Sequence, residues 1–328
     1  MSKVLLLTHS QDYYVTDMVA TRLQTLGYTP VRYNGDDYPT EWVIHERVGT
    51  EGFSVTWESD HIQFTDQEVA GVWNRKLVGA QVVQDMDPAF VQTAEQEASA
   101  VQQSALLSLM DCPWIDRPER VRAGEDKLRQ LRLAQSQGLT VPETLITSDP
   151  DAVRAFYHAQ QGEVVTKMMT ALAWSMEGDA PHVYTSRVTV EVLDQMDSLR
   201  LCPMTFQRAI PKDYEVRVAY VGGRCFAGKI DASQTVEGQT DWKRAKQGTP
   251  WQACSLPDSV TSALHGYMQA LGLHFGAIDL IKLPEGGYVF LEVNPAGEWG
   301  MLQKELDLPI GEAIADHLHH LIEAKKTT

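Results

Sequence analysis

At the start of the chain, a short apolar run typical of a strand is followed by apolar residues at helical spacing. Val4 to Leu7 form an apolar run. Apolar residues at positions 15, 19, 23 and 26 then recur at helical spacing up to Gly27, before a second short run at 31–33. This β-α-β order predicts a parallel sheet covered by helices. The segment has no Gly-x-Gly-x-x-Gly motif, so the dinucleotide-binding fingerprint is absent.

The remaining pattern predicts a mixed α/β protein. Residues 41–76 are typical of a β-rich meander, and residues 88–110 form a long amphipathic helix that Cys112-Pro113 and Arg117-Pro118 interrupt, which favours a domain boundary near residue 117. A second helix is predicted from Gly124 to Gln137. Further strands are predicted at 141–146, 164–168, 204–207, 214–221 and 224–230, and further helices at 190–196, 259–271 and 310–324.

A hairpin near the end of the chain has the strongest local signal. Residues 278–283 and 288–293 are aliphatic, aromatic or β-branched, and they flank the turn residues Pro284-Glu285-Gly286-Gly287. This turn predicts that Leu283 faces Tyr288. Counting back in antiparallel register then brings two acidic residues opposite each other.

These acidic residues are Asp279 and Glu292, and Asn294 points to the same face two residues later. Opposed like charges cost stability unless something neutralises them, and hard oxygen donors favour a divalent cation. Mg²⁺ typically takes one or two protein carboxylates and completes its shell with water and phosphates, which implies a nucleotide. The alternative is a solvated hairpin. The small-residue loop at 295–300, where backbone can approach phosphate, favours the metal.

Three basic residues are further candidates. Lys127 lies in the first turn of a predicted helix, Lys167 interrupts an otherwise apolar strand, and Arg217 shares a strand face with Glu215. A lysine in an apolar strand requires an anion, and an arginine can stabilise a transferring phosphoryl group. Each also has an ordinary structural explanation, as a surface lysine or as an arginine paired with a neighbouring acid.

Composition narrows the class of protein. The chain has 328 residues and a formal net charge of −16, which disfavours a broad nucleic-acid surface. It has no apolar run long enough to span a membrane and no signal-peptide cleavage region, so we expect a cytoplasmic protein. Its four cysteines lack metal-site spacing, and we interpret them as reduced thiols: Cys112, Cys202, Cys225 and Cys254.

The order of these residues resembles the ATP-grasp superfamily over roughly residues 118–300, with two lysines before a hinge strand and a late Asp…Glu-x-Asn pair of strands. Over nearly the whole chain it is similar to the microviridin-type graspetide synthetases. The stretches that carry this resemblance are LLLTHS near the N-terminus, Val72-Trp73-Asn74-Arg75, Lys127-Leu128-Arg129-Gln130-Leu131, Cys202 to Gln207, Ile210-Pro211-Lys212, Glu215-x-Arg217, Gly276 to Asp279, and Phe290-Leu291-Glu292-Val293-Asn294-Pro295-x-Gly297-Glu298.

The resemblance implies an ATP-grasp fold with three parts: an N-terminal parallel α/β domain (1–117), a central domain (118–203) and a C-terminal antiparallel-sheet domain (204–328). It implies ATP and Mg²⁺ as cofactors. The implied catalytic residues are Arg217 and Lys167. The implied nucleotide-binding residues are Lys127, Lys167, Gln207, Ala209, Ile210, Glu215 and Asn294, and the implied metal ligands are Asp279, Glu292 and Asn294.

The reaction that the resemblance implies is closure of rings in a ribosomally made precursor peptide. ATP phosphorylates an Asp or Glu side chain, and a Lys amine or a Ser/Thr hydroxyl attacks the acyl phosphate. The start of the chain and the run Gly297 to Met301 are closer to the lactam-forming members, which favours an amide. Two alternatives remain: a ligase that adds glutamate or another free amino acid, and an ATP-binding regulatory module without phosphoryl transfer.

The expected partner is a precursor peptide with leader and core. Candidate peptide contacts are Arg75, Trp242 and Arg244, the last two in the weakly apolar segment 232–248, which is predicted to be a loop. The sequence departs from the family pattern at Lys76, where a second arginine is expected, and at Arg208, where a glutamate is expected. It leaves open whether the chain forms a homodimer.

Overall fold

The computed structural model of the protein describes residues 2–50, 52–82, 86–168, 185–231 and 250–327. Within these residues the α-helices are α1 (Val15–Thr25), α2 (Pro88–Leu107), α3 (Pro118–Gly124), α4 (Lys127–Ser136), α5 (Pro150–Ala159), α6 (Val190–Asp194), α7 (Asp258–Leu271), α8 (Gly300–Leu306) and α9 (Ile310–Lys326). The strands within the same residues are β1 (Lys3–Thr8), β2 (Thr29–Asn34), β3 (Val43–Gly49), β4 (Gly52–Glu58), β5 (Gln63–Thr65), β6 (Val69–Asn74), β7 (Trp114–Ile115), β8 (Thr144–Thr147), β9 (Val164–Lys167), β10 (Ser186–Arg187), β11 (Met204–Arg208), β12 (Tyr214–Val221), β13 (Arg224–Ile230), β14 (Gln252–Ala253), β15 (Phe275–Lys282) and β16 (Tyr288–Asn294).

The first sheet is parallel, with strand order β2-β1-β6-β7. The predicted β-α-β opening is confirmed. The predicted meander at 41–76 divides in two, because β3, β4 and β5 form a separate antiparallel sheet while β6 joins the first sheet. Helix α9 returns to this region and packs against α1 and β6. Ile314, Leu318 and Ile322, spaced four residues apart on α9, are buried there.

The second sheet is antiparallel, with strand order β10-β9-β11-β8. Val164 and Phe206 lie in its hydrophobic core, with Val153 of α5. Strand β11 belongs to this sheet by hydrogen bonding, so the connection to the third sheet runs through residues 209–213. The predicted domain boundaries at residues 117 and 203 stay predictions.

The third sheet is antiparallel, with strand order β14-β13-β12-β15-β16. Gly222 and Gly223 form a two-residue turn with φ of +53° and +100°, values that a glycine pair tolerates, so the predicted hairpin of β12 and β13 is confirmed. Helices α4 and α7 pack against each other beside this sheet, and α4 also contacts β16.

The hairpin of β15 and β16 differs from the prediction at its turn. Lys282, not Leu283, pairs with Tyr288. A bulge between Asp279 and Leu280 in the ladder then shifts the register by one residue, and Asp279 pairs with Glu292 as predicted. The expected partner of Leu283 was wrong, but the expected pair of acids is confirmed.

The predicted single helix from Gly124 to Gln137 was wrong at its start. The helix observed there is α4, which begins at Lys127 because Asp126 caps it, and Gly124 is instead the last residue of α3. Its carboxylate accepts the N–H groups of Leu128 and Arg129 at 3.1 and 3.0 Å. Lys127 therefore stands at the first position of a capped helix. None of the described helices is both long and apolar enough to cross a membrane.

Candidate active site

A row of charged residues crosses three neighbouring strands of the third sheet. Arg217 on β12 pairs with Asp279 on β15, which pairs in turn with Glu292 on β16. Arg217 Nη1 donates to Asp279 Oδ1 at 2.6 Å, and both side chains are buried. The sequence places these residues side by side because each occupies the same face of an antiparallel strand.

Lys127 closes the other end of the row. Its Nζ lies 3.0 Å from Glu292 Oε2 and donates to Asn294 Oδ1 at 3.4 Å. Asn294 Nδ2 donates to Glu292 Oε1 at 3.2 Å, so these two side chains share a face as predicted. Lys127, which the sequence assigns to phosphate oxygens, therefore contacts two predicted metal ligands.

These contacts differ from the predicted surroundings of the two acids. We expected the oxygens of Asp279, Glu292 and Asn294 to meet around a cation; in the structure Arg217 neutralises one carboxylate and Lys127 the other. The donor set still fits a hard cation, because Mg²⁺ needs only one or two protein carboxylates beside phosphate oxygens. In the part of the chain that the structure describes, no group of three or more His, Cys, Asp and Glu residues is suited to hold a metal.

The second sheet presents two of the predicted nucleotide residues on one face. Phe206 and Thr166 pair across β11 and β9, and Phe206 points into the core. Because side chains alternate along a strand, Gln207 and Lys167 lie on the opposite face. Gln207 is buried and its Nε2 donates to Thr144 Oγ1 at 3.0 Å. The predicted contacts of both residues with ATP stay predictions.

The connection between the second and third sheets, with the start of β12, contains three further predicted nucleotide contacts. The Ala209 N–H donates to Glu163 O at 2.9 Å, and Ile210 follows it, half-buried. Glu215, predicted to contact ribose or metal, is buried, and its Oε1 accepts from Lys212 Nζ at 2.6 Å. The nucleotide roles of these residues are not tested by the structure alone.

Arg75, predicted as a peptide contact, has a buried guanidinium. Its Nη1 donates to Ala296 O at 2.9 Å and its Nη2 to Glu298 Oε2 at 2.6 Å. The side chain therefore binds the loop after β16, and its predicted peptide contact stays a prediction. The other two candidates, Trp242 and Arg244, lie outside the described residues.

The carboxylate of Asp12 lies beside the Arg75 guanidinium, with Oδ2 at 3.7 Å from Nε. Burial opposes its ionisation, but the Arg75 guanidinium and hydrogen bonds from Thr8 and Thr16 outweigh burial and lower the pKa of Asp12. Asp12 Oδ2 accepts from the two threonine hydroxyls at 2.6 and 2.8 Å. Asp12 is thus a fixed negative charge beside Arg75.

Sequence reasoning missed a glutamine that holds strand β16. Gln130 is buried on α4; its Oε1 accepts the Val293 N–H at 3.1 Å, and its Nε2 donates to Val293 O at 2.9 Å. Val293 lies between Glu292 and Asn294 on the edge strand β16, so Gln130 takes the place of a further strand at this point. The available signal was its position on the helix, three residues after Lys127.

Comparison with known proteins agrees with this architecture. Residues 3–122 match the family model of the MvdD pre-ATP grasp domain. No match was found among curated protein sequences. The solved macrocyclase MdnB from Microcystis aeruginosa MRC is 40% identical, with a TM-score of 0.84 over 97% of this chain and 99% of that chain.

Two further solved structures are similar over nearly their whole lengths. Macrocyclase MdnC from Microcystis aeruginosa MRC, bound with precursor peptide MdnA, is 30% identical, with a TM-score of 0.85 over 97% of this chain and 99% of that chain. A RiPP-associated ATP-grasp ligase from Chryseobacterium gregarium, in complex with ADP and a leader and core peptide, is 28% identical, with a TM-score of 0.89 over 98% of this chain and 97% of that chain. With an ATP-grasp fold and these identities, the chain belongs to the microviridin-type graspetide synthetases, a family of ATP-grasp ligases.

Proposed function

We propose that this protein uses ATP and Mg²⁺ to close rings in a ribosomally made precursor peptide, joining an Asp or Glu side chain to a Lys side chain through an ω-amide. Family membership supports the peptide substrate, because MdnC was solved with a precursor peptide and the Chryseobacterium gregarium ligase with ADP and a leader and core peptide. The preference for an amide over an ester rests on the sequence resemblance to lactam-forming members. We expect the reaction to take place in the cytoplasm.

The observation that carries this proposal is the charged row on the third sheet. Two cations, Arg217 and Lys127, stand against two acids, Asp279 and Glu292, at distances of 2.6 and 3.0 Å. A bound triphosphate would offer Arg217 and Lys127 new anionic partners and release the carboxylates for a metal. Lys167 on the second sheet would supply a further positive charge for phosphate oxygens.

Asp279, Glu292 and Asn294 would hold Mg²⁺, which would neutralise charge on the phosphate oxygens. We assign the adenine to Gln207 and to the backbone of Ala209 and Ile210, and a ribose contact to Glu215. These assignments follow the family pattern. The structure supports them by placing Gln207 and Lys167 on the sheet face opposite the core.

The chemistry requires no covalent bond to the enzyme. An oxygen of the substrate carboxylate attacks the γ-phosphorus of ATP, and ADP leaves with the electron pair of the broken P–O bond. The lysine nitrogen then attacks the acyl carbon, phosphate leaves, and the ammonium group loses two protons in total, one of them carried by hydrogen phosphate. Burial raises the pKa of Cys112 to about 12 and of Cys225 to about 11, which makes both thiols poor nucleophiles at neutral pH.

The buried position of Arg217 suits electrostatic catalysis. Its Nε donates to the Glu298 carbonyl, which would keep the guanidinium in place while Nη1 exchanges Asp279 for a phosphate oxygen. Leader binding through Trp242 and Arg244 stays part of the proposal as a family-based prediction.

The test is a reaction of the purified protein with ATP, Mg²⁺ and a precursor peptide encoded beside its gene. We expect peptide-dependent ADP formation and loss of one water mass for each ring closed. A product heavier by whole amino-acid residues would instead identify an amino-acid-adding ligase. Nucleotide binding without ADP release, with any peptide or amino acid, would identify a regulatory module and contradict the proposal.

A further inference from the structure

Arg75 joins the first sheet to the loop at 295–298. It directly follows β6, and its side chain is only 1% exposed. One guanidinium nitrogen binds the backbone oxygen of Ala296 and another binds the carboxylate of Glu298. Because a guanidinium is planar and rigid, these two bonds fix backbone and side chain of the loop together.

The same loop reaches Arg217 on the third sheet. Arg217 Nε donates to Glu298 O at 3.2 Å, while its Nη1 donates to Asp279 Oδ1 at 2.6 Å. Glu298 therefore binds Arg75 through its side chain and Arg217 through its carbonyl. A continuous chain of contacts runs from the first sheet to the guanidinium that we assign to phosphoryl transfer.

Further contacts surround the two ends of this series of contacts. Arg75 Nε lies 3.7 Å from Asp12 Oδ2, and the Tyr13 hydroxyl donates to Glu298 Oε2 at 3.0 Å. On the other side, a Cβ atom at Gly297 would lie 2.5 Å from Ala277 Cβ, so the loop backbone rests directly on β15. The loop has little room to move unless Arg75 releases it.

We propose that Arg75 is a positioning residue for the phosphoryl-transfer site, not a contact for the peptide. From its buried place beside the first sheet it fixes the 295–298 loop, and through the Glu298 carbonyl it fixes the orientation of Arg217. The inference rests on the proposed function, since it assigns Arg75 a part in that same reaction.

The test measures kcat and KM for ATP in peptide-dependent ADP formation, together with thermal melting. Arg75→Lys keeps the charge but loses the two-nitrogen fork, and Glu298→Gln keeps Arg75 in place while weakening its bond. The matched control is Arg22→Lys: Arg22 Nε binds Asp316 Oδ1 at 2.7 Å, so it joins α1 to α9 instead of binding the loop, and both side chains are about two-fifths exposed. We expect Arg75→Lys to lower kcat about tenfold or more with KM for ATP unchanged, because a small misplacement of a catalytic group is costly.

A double variant separates positioning from general structural damage. If Arg75 and Glu298 act as one unit, the double variant loses no more kcat than Arg75→Lys alone. Additive losses would overturn the inference, as would a kcat for Arg75→Lys equal to that of Arg22→Lys, even with a lower melting temperature. If Arg75→Lys does not fold, an unchanged kcat for Glu298→Gln would overturn it. If neither the wild type nor Arg22→Lys forms ADP in a peptide-dependent reaction, the result contradicts the proposed function instead.

Discussion

Two sets of ion pairs in this molecule differ in the exposure of their cations and in the lengths of their bonds. On the third sheet, Lys127 reaches Glu292 and Asn294 from a side chain that is 20% exposed, with single bonds of 3.0 and 3.4 Å. Between the first sheet and the 295–298 loop, Arg75 is 1% exposed and makes two short bonds.

The exposure of the side chain and the number of its bonds distinguish a cation that can exchange partners from one that cannot. Lys127 can exchange a carboxylate for a phosphate because its ammonium is a compact charge on a flexible, partly exposed stem and stays paired after the exchange. Arg75 would leave its own buried guanidinium with only Asp12 as a nearby acid among the described residues if it lost Glu298, which costs more than breaking a partly exposed pair. Arg217 stands between them, since it is buried like Arg75 but faces Asp279 in the row.

The largest effect on turnover is expected when the charged row on the third sheet loses an acid. Glu292→Gln keeps the shape of the side chain but removes a negative charge, so we expect ring-closing turnover to fall by at least about 10²-fold with little change in melting temperature. The measurement is peptide-dependent ADP formation. Glu285→Gln, in the exposed turn of the same hairpin, is the control and should behave as wild type. Wild-type turnover in Glu292→Gln would refute the metal assignment.

A smaller effect is expected at the second sheet. Lys167→Ala removes one charged contact with phosphate oxygens, so we expect KM for ATP to rise about tenfold, the equivalent of about 1.4 kcal/mol of binding energy. Arg187→Ala, on the neighbouring edge strand and in an exposed pair with Glu163, is the control. Equal KM values for the two variants would show that Lys167 takes no part in nucleotide binding.

The next effect concerns stability and not chemistry. Gln130→Ala leaves the Val293 N–H and carbonyl without their side-chain partners, and we expect the free energy of unfolding to fall by about 1–3 kcal/mol. Urea unfolding measures this, with Gln135→Ala on the exposed face of the same helix as control. If both variants unfold at the same urea concentration, the hydrogen bonds of Gln130 do not stabilise strand β16.

The smallest expected effect is on the pH dependence of stability. It concerns the junction of α9 with the third sheet, where His317 Nε2 lies 2.9 Å from His274 Nδ1. Burial, followed by the neighbouring His274 and His320, lowers the pKa of His317 to about 4. Its ordinary value is about 6.5, so the unfolded chain binds more protons between these two pKa values. Stability contributed by neutral His317 should therefore fall as pH falls from about 6.5 towards 4.

Thermal melting across this pH range checks that prediction. His317→Asn should flatten the dependence of melting temperature on pH, while kcat near pH 7 stays unchanged. An equally steep dependence in the variant would assign the effect to other groups. A loss of kcat would show that this junction, and not only Arg75, positions the site.

The sequence predicted much of the row because strand alternation and a turn are local signals. Asp279 and Glu292 came out opposite each other even though the partner of Leu283 was wrong. The bulge in the β15–β16 ladder offset the one-residue error, and an extra strand residue leaves no mark in an apolar run. The break before α4 was readable, since Asp126 is a typical cap.

The partners of these residues were not readable from the sequence. Arg75 and Glu298 are 223 positions apart, and no periodicity connects them. Strand β7 has only two residues and follows a proline, so nothing distinguished it from a loop. The sequence shows that Arg75 is charged, but its burial depends on distant segments of the chain.

The central claim is that Asp279, Glu292 and Asn294 bind a metal ion together with a triphosphate. Its most direct test is an electron paramagnetic resonance titration of Mn²⁺ into the protein, with and without a non-hydrolysable ATP analogue. We expect the analogue to tighten Mn²⁺ binding in the wild type and in Glu285→Gln, but not in Glu292→Gln. Equal, nucleotide-dependent Mn²⁺ binding in all three proteins would contradict the account.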